Sequence, residues 1–364
     1  PQYWNRSAAG GAFKAVRDLT YLTTGEVVRN EITPRQGGYD VEFVVRAHED
    51  SAIVLTIHPD TALPPDAQPF STAHAAASSG NYHGTMVFSA GGALSSSRVW
   101  HYCVGDQTYE KLETLDGRQQ RIVRHNDAVH TLWPQSRLAV VERREALAAW
   151  STTPQRVDPK ALEQYELRPN GAARVAGREA TVFVLEPRDA LRYAQRLWAD
   201  QATGLMLRAD VIGPGTGQPV LESTAFSEIE IGVAPQPDAV LRTIARLDDY
   251  RVVRPSKQRT TLEAEGWTLA RPVAGFGLAG CLKRALPSAG AEAPVLQAVF
   301  TDGLTHVSVF VESYQPQRHG EELLARQGAT ATVTRRRGEH WITAVGDVPP
   351  ATLELFVAAL ERRR

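Results

Sequence analysis

The residue types that support covalent catalysis are present in this chain, but their spacing matches no common catalytic motif. The sequence contains two cysteines, Cys103 and Cys281, and ten histidines. It has no GxSxG nucleophile elbow and no glycine-rich phosphate loop. The glycines of residues 213–217 lie between two predicted strands and not before a helix, which indicates a surface turn. We therefore predict no catalytic residues and no cofactor.

The histidines and carboxylates also fail to form a metal-binding set. His125 and His130 are separated by a predicted turn, and His101 lies in a predicted strand without an obvious partner. A metal site needs several such ligands brought together, so we predict surface or hydrogen-bonded roles for these histidines and no metal. Solvated charge is the ordinary explanation for three carboxylates along one strand and its turn: Glu110, Glu113 and Asp116.

The two cysteines lie far apart in the sequence, and neither has a second cysteine nearby. This spacing does not indicate a zinc site or a CxxC motif. We predict two separate buried thiols. The alternative, a disulfide between Cys103 and Cys281, requires an oxidising compartment and Cα atoms within about 7 Å of each other.

Two arginine clusters stand out. Residues 335–337 are three arginines at a predicted strand end, and residues 362–364 close the chain, where cations favour a helix C-terminus. A solvated sheet edge is one interpretation of the first cluster. A contact with a protein or an anionic lipid is the other, because guanidinium groups suit carboxylates and phosphates.

Composition limits the classes of function. The 364 residues carry 40 basic and 41 acidic side chains, a formal net charge of -1, which argues against nucleic acid as the main partner. The hydrophobic fraction of 43% and the charged fraction of 22% are typical of a folded globular protein. No run approaches the roughly 18 apolar residues of a membrane-spanning helix. No charged-then-apolar leader is recognised at residue 1, so that end does not indicate the compartment.

The length predicts two or three domains. Residues 1–65 form a first segment of unknown role, with a short helix at 12–22 and strands at 39–47 and 51–58, before a proline-rich interruption. Residues 70–232 contain many short strands separated by turn residues, with a helical stretch at 142–164, which predicts an antiparallel meander. We expect a large curved sheet wrapped around a helical layer.

A composition change at residues 233–260 predicts a linker to a smaller α+β domain at 261–364. Strands are predicted at 295–301, 305–312, 329–336 and 340–345, with Asp302 and Gly303 in the hairpin turn between the first two. A short helix is predicted at 321–326. A closing helix is predicted at 349–364, since apolar residues recur there at helical spacing. The predicted fold class is α+β.

Several ordered motifs resemble the MucB/RseB family of periplasmic negative regulators of envelope-stress sigma factors. The segment NYHGTMVF at residues 81–88 is similar to the family's first strand, and EKLETLDG at residues 110–117 is similar to its E-x-L-x-x-L-D-G turn. Further likeness lies at residues 121–127, 198–208, 265–267, 300–304 and 345–350. The resemblance covers roughly residues 70–364 and excludes residues 1–65.

The resemblance implies a non-enzymatic periplasmic protein. Its large domain, residues 70–232, would be a half-barrel with a helical lid similar to lipoprotein carriers, followed by the smaller C-terminal anti-sigma-binding domain. The family binds the periplasmic region of a membrane anti-sigma factor and shields it from regulated proteolysis. Lipid or lipopolysaccharide fragments are the implied releasing ligands. A homo-oligomer is compatible with this interpretation.

Candidate binding residues follow from the implied half-barrel. An apolar cavity for acyl chains would be lined by apolar strand residues, although the same pattern suits plain core: Met86, Phe88, Val99, Leu112, Leu115, Ile122, Leu132, Trp133, Phe183, Leu197, Met206 and Leu207. Candidate partner contacts on the smaller domain are Tyr314, Arg335, Arg336 and Arg337. One alternative is a lipid or lipoprotein carrier without a sigma-factor role. Another is an enzyme whose site is assembled from scattered residues.

Overall fold

The protein is described from a computed structural model, which describes residues 26–35, 38–46, 52–57, 80–143, 161–284 and 294–363. The chain divides into two compact units, Pro1–Pro65 and Asp66–Arg364. None of the helices among these residues is both long enough and apolar enough to cross a bilayer.

The first unit contains a three-stranded antiparallel sheet. Its strands, in sheet order, are β1 (Glu26–Arg35), β2 (Gly38–Arg46) and β3 (Ala52–Ile57). The predictions of strands at 39–47 and 51–58 are confirmed. The helix predicted at 12–22 lies outside the described residues.

The larger sheet of the second unit contains twelve of the described strands. They are β4 (Tyr82–Ala90), β5 (Ala93–Val104), β6 (Gln107–Thr114), β7 (Arg121–His125), β8 (Ala128–Trp133), β9 (Leu138–Arg143), β10 (Tyr165–Val175), β11 (Arg178–Pro187), β12 (Ala194–Asp200), β13 (Met206–Ile212), β14 (Val220–Ile231) and β15 (Arg251–Val253). Two meanders, β4–β9 and β10–β14, join where β14 pairs with β4. All pairings are antiparallel except that of β15 with β9. The predicted large antiparallel sheet is confirmed.

Strands β4–β9 pair with one another without register shifts. Because directly opposed residues in an antiparallel pair share a face, these pairings show which side chains lie on each face of the sheet. One face carries Met86, Val99 and Leu112. The opposite face carries Tyr102 and Val123, which form one buried cluster with Val240 of a short helix, α2 (Pro237–Leu241). A second short helix, α1 (Ala161–Gln164), precedes β10.

The smaller sheet contains seven of the described strands, and a two-stranded pair lies beside it. The seven are β16 (Lys257–Arg259), β18 (Gly277–Arg284), β19 (Val295–Thr301), β20 (His306–Ser313), β21 (Leu324–Gln327), β22 (Thr330–Arg337) and β23 (His340–Gly346), in the order β16-β18-β19-β20-β23-β22-β21. Strands β17 (Trp267–Leu269) and β24 (Leu360–Arg362) form the pair. Helix α3 (Pro350–Ala359) buries Leu353, Phe356 and Val357 in the core of this sheet.

The described chain is mostly β, so the predicted α+β class is confirmed only in its strand content and its antiparallel sheet. The prediction of a helix at 321–326 was wrong. Residues 324–327 form edge strand β21 instead, because pairing with β22 outweighs helix propensity. The closing helix ends at Ala359, where Leu360 turns into β24. Of the predicted helical stretch 142–164, residues 142–143 belong to β9, 161–164 form α1, and the rest lies outside the described residues.

Candidate functional site

Three of the four predicted partner residues, Arg335, Arg336 and Arg337, line a cleft at the end of strand β22. The cleft has a volume of about 470 Å³ and is bounded by the end of β22, helix α3 and the segment before β21. Alternation along β22 places the buried Ala331 and Val333 toward α3 and directs every second residue to the other face. The lining residues are Glu322, Arg335, Arg336, Arg337, Glu354, Val357 and Ala358.

The three arginines of this cleft differ in their partners. Arg335 is half-buried and lies between two carboxylates, 3.0 Å from Glu354 and 3.7 Å from Glu322. These two acidic residues offset its charge. Arg336 and Arg337 are both exposed, and they carry the excess positive charge of the cleft. The geometry therefore suits an acidic group supplied from outside.

Tyr314 contacts one arginine of this run, Arg336, and is not among the residues that line the cleft. The guanidinium carbon of Arg336 is 3.9 Å from the centroid of the Tyr314 ring, a cation–π contact. Tyr314 also belongs to an aromatic group on the face opposite α3, in which His319 stacks on Trp341 at 5.1 Å. The backbone N–H of Tyr314 donates to the carbonyl of Glu339. The structure thus brings Tyr314 and Arg336 together on a rigid support.

The predicted cavity residues fall into several environments. Those of strands β4–β8 share one face, except Leu132, which lies on the opposite face. Leu112, Ile122 and Trp133 are half-buried, whereas Phe88 and Leu115 are 39% and 48% exposed. The remaining predicted residues are buried: Met86, Val99, Leu132, Phe183, Leu197, Met206 and Leu207.

Contacts among these residues divide them further. Met86, Val99 and Leu207 belong to one buried cluster, against which Leu112 packs. Leu197 and Met206 belong to another cluster, and Phe183 to a third. A second cleft, of about 400 Å³, is lined by none of the predicted cavity residues, as its lining is Ser89, Gly91, Gly92, Val220, Leu221, Arg326 and Gly328. The acyl cavity stays a prediction.

A buried ion pair joins the larger and smaller sheets, and the sequence pattern did not reveal it. Arg192 precedes β12, and Asp302 lies in the predicted hairpin turn between β19 and β20. Both side chains are 0% exposed, and Arg192 Nε donates to Asp302 Oδ2 at 2.7 Å. Tyr165 donates its hydroxyl to the same oxygen at 3.2 Å. Arg192 also donates to the Ala274 carbonyl and pairs with Asp189.

A second polar cluster corrects two predictions about the larger sheet. His101 has a partner, since its Nδ1 lies 2.9 Å from Glu110 Oε1. Glu110 is not a solvated carboxylate, because its side chain is 16% exposed and also pairs with Arg124 at 2.9 Å. Burial favours neutral His101, but hydrogen bonds to Cys103 and Glu110 outweigh it and raise the pKa of His101 to about 9.

A sequence signal for this cluster existed. The tight turn at Gly105, with φ of +61°, fixes the β5–β6 register that opposes His101 and Glu110. The two cysteines are separate thiols, as predicted, but only Cys281 is buried, and Cys103 is partly exposed. Within the described ranges, no three histidine, cysteine or acidic side chains lie close enough to hold a metal ion.

Comparisons with known proteins identify relatives for most of the second unit. A family model described as the MucB/RseB N-terminal domain matches residues 67–244, and the MucB/RseB C-terminal domain matches residues 261–361. Sigma factor AlgU regulatory protein MucB of Pseudomonas aeruginosa is 31% identical over 283 residues, covering 75% of this chain and 84% of that protein. Sigma-E factor regulatory protein RseB of Haemophilus influenzae is 24% identical, covering 78% and 87%.

A solved structure agrees with these matches. The complex structure of Pseudomonas aeruginosa MucA/MucB contains a chain that is 25% identical to this one, with a TM-score of 0.65. The alignment covers 83% of this chain and 100% of that chain. The similarity therefore extends across both sheets of the second unit.

Proposed function

Because this chain belongs to the MucB/RseB family, we propose that it is a periplasmic regulator that binds the periplasmic region of a membrane anti-sigma factor. The observation that carries this proposal is the alignment of the chain with the whole of a chain in the MucA/MucB complex. By binding, the protein shields the anti-sigma factor from regulated proteolysis, and lipid or lipopolysaccharide fragments release it during envelope stress.

The surface that we assign to the anti-sigma factor is the basic cleft of the smaller sheet. Arg336 and Arg337 are exposed, while the neighbouring Arg335 is held by Glu322 and Glu354. Tyrosine and arginine are enriched among residues that dominate binding energies, and Tyr314 supports Arg336 from below. An acidic segment of the partner therefore meets two available guanidinium groups and an aromatic ring.

The lipid ligand is assigned to the larger sheet. Its Met86 face carries half-buried apolar side chains, Leu112, Ile122 and Trp133, in adjacent strands. Release then requires that lipid and anti-sigma factor favour different arrangements of the protein, since a ligand shifts an equilibrium only by its difference in affinity between two states. A homo-oligomer is compatible with this scheme.

Isothermal titration calorimetry of the full chain with the periplasmic region of the anti-sigma factor tests the proposal. The double variant Arg336→Glu/Arg337→Glu should bind at least about 10-fold more weakly, because each of two central contacts becomes repulsive. The matched control Arg118→Glu/Arg246→Glu makes the same charge change at exposed residues elsewhere and should leave Kd unchanged. Absence of binding by the unmodified chain, or equal loss in both variants, would contradict the assignment.

The same apolar side chains favour the second candidate function, a periplasmic lipid or lipoprotein carrier without a sigma-factor role. A carrier should bind a fluorescent fatty acid and show no affinity for the anti-sigma factor. A regulator should bind both, and the fatty acid should weaken the protein complex. A fluorescence titration with each ligand, alone and together, distinguishes the two functions.

A further inference from the structure

Three side chains on the larger sheet contact one another in a row, as a nucleophile, a base and a carboxylate. Cys103 Sγ lies 3.4 Å from His101 Nε2, and His101 Nδ1 lies 2.9 Å from Glu110 Oε1. Both distances suit hydrogen bonds that involve sulfur and oxygen respectively. A carboxylate that accepts from Nδ1 fixes the imidazole and leaves Nε2 directed at the thiol, which is the arrangement that activates a nucleophile.

The sheet holds this geometry rigidly. His101 and Cys103 are two residues apart in β5 and therefore share a face, and Glu110 is the direct cross-strand partner of His101 in β6. The His101 ring is 3% exposed and stacks on Tyr82 of β4 at 4.9 Å. Arg124 of β7 holds the other oxygen of Glu110. Neighbouring strands thus fix His101 and Glu110.

Cys103 is the more exposed of the two cysteines. Cys103 is the penultimate residue of β5 and is partly exposed, next to the exposed Val104. Cys281 is buried in the smaller sheet, and burial raises its pKa to about 11. The sequence contains only these two cysteines. The two cysteines are not bonded to each other in the structure, so a mixed disulfide at Cys103 joins it to an external thiol.

We propose that Cys103, His101 and Glu110 form a thiol-modification site at which Cys103 exchanges with a small-molecule disulfide of the glutathione type. The proton shared in the Cys103–His101 contact lies on Nε2 of the charged imidazole, and the Cys103 thiolate attacks one sulfur of the disulfide. The S–S bond of the small molecule breaks as the Cys103 S–S bond forms, and the departing thiolate takes the proton from His101. Cys103 is oxidised to a mixed disulfide, and the departing sulfur is reduced to a thiol.

Oxidised glutathione is the probe for this site. The Cys281→Ser protein is incubated with it at neutral pH, and the adduct is followed by intact mass and peptide mapping. The reference is a peptide of residues 99–108, in which the same thiol lacks Glu110 and the fold. We expect Cys103 in the folded protein to react at least about 10-fold faster than in the peptide, because a thiolate is the attacking species. An equal or slower rate in the protein would overturn the proposal.

Two variants separate activation from simple exposure. His101→Gln should bring the rate to that of the peptide, and Glu110→Gln should lower it by a smaller factor, since the base remains but is no longer held. Circular dichroism and the melting temperature check that each variant is folded. The comparison of the Cys281→Ser protein with the peptide needs neither variant. A His101→Gln protein that is folded and reacts as fast as the parent would also refute the role of His101.

Discussion

The buried pair of Arg192 and Asp302 should be a principal link between the two sheets of the second unit, and Asp302→Asn tests it. Asp302 Oδ1 accepts from the N–H groups of Leu304 and Thr305, at 2.9 and 2.7 Å. The asparagine can keep these two bonds through its remaining oxygen. Its amide would then point donors at Arg192 Nε and at the Tyr165 hydroxyl, both of which are themselves donors.

The expected cost is large because neither side chain is exposed. Removing one partner of a buried ion pair costs about 3–5 kcal/mol, and the remaining pair of Arg192 with the partly exposed Asp189 places the loss near the lower end of that range. With a urea dependence of about 3 kcal/mol per molar, the unfolding midpoint should fall by about 1 M or more. Tryptophan fluorescence during urea unfolding measures this shift.

Two further proteins make this test specific. Glu166→Gln removes one charge of the exposed pair with Arg168 and should leave the midpoint unchanged. A cycle with Arg192→Met should show non-additive losses in the double variant, since the two side chains are in direct contact. A midpoint for Asp302→Asn equal to that of Glu166→Gln would refute the assignment of the pair as a link.

Three other substitutions have defined outcomes. Burial and the charge of Asp347 raise the pKa of Glu222 to about 7, so the stability that comes from its protonated form is complete below pH 4.5 and is lost as the pH rises through 7. Glu222→Gln should therefore add about 1–2 kcal/mol to the free energy of unfolding at pH 8 and nothing at pH 4, as measured by urea unfolding. A variant that is less stable than the parent at pH 8 would contradict this. Phe356, a fully buried residue of α3, should cost about 3–5 kcal/mol when replaced by alanine, in the same measurement. A loss below about 1 kcal/mol would contradict its place in the core. Gly328→Ala should lower the melting temperature more than Gly338→Ala. Both glycines have positive φ, but only a Cβ at position 328 would lie 2.7 Å from Ala90 Cβ. Equal effects of the two substitutions would refute this close approach.

Local pattern predicted most strands of the second unit, because alternation and turn residues act within a hairpin. The strand at 295–301 was predicted at its observed bounds. Segment 321–326 was misassigned because its helix-forming residues are held by pairing with β22, a tertiary effect. The turn at Asp302 was predicted, but its pairing with Arg192 was not, since no local signal connects residues from different sheets.

The candidate site was predicted unevenly for similar reasons. The arginine run is visible as composition, and the contact of Arg336 with Tyr314 follows from strand pairing. The different roles of Arg335 and Arg336 depend on Glu322 and Glu354, which sequence spacing does not place. The set at Cys103 was accessible to sequence reasoning through the hairpin register, which opposes His101 and Glu110.

Hydrogen exchange tests the central claim most directly. Backbone exchange of the full chain is compared by mass spectrometry with and without the periplasmic region of the anti-sigma factor. The account predicts slower exchange in peptides that contain Tyr314 and residues 335–337. Unchanged exchange throughout the smaller sheet at saturating partner would contradict it.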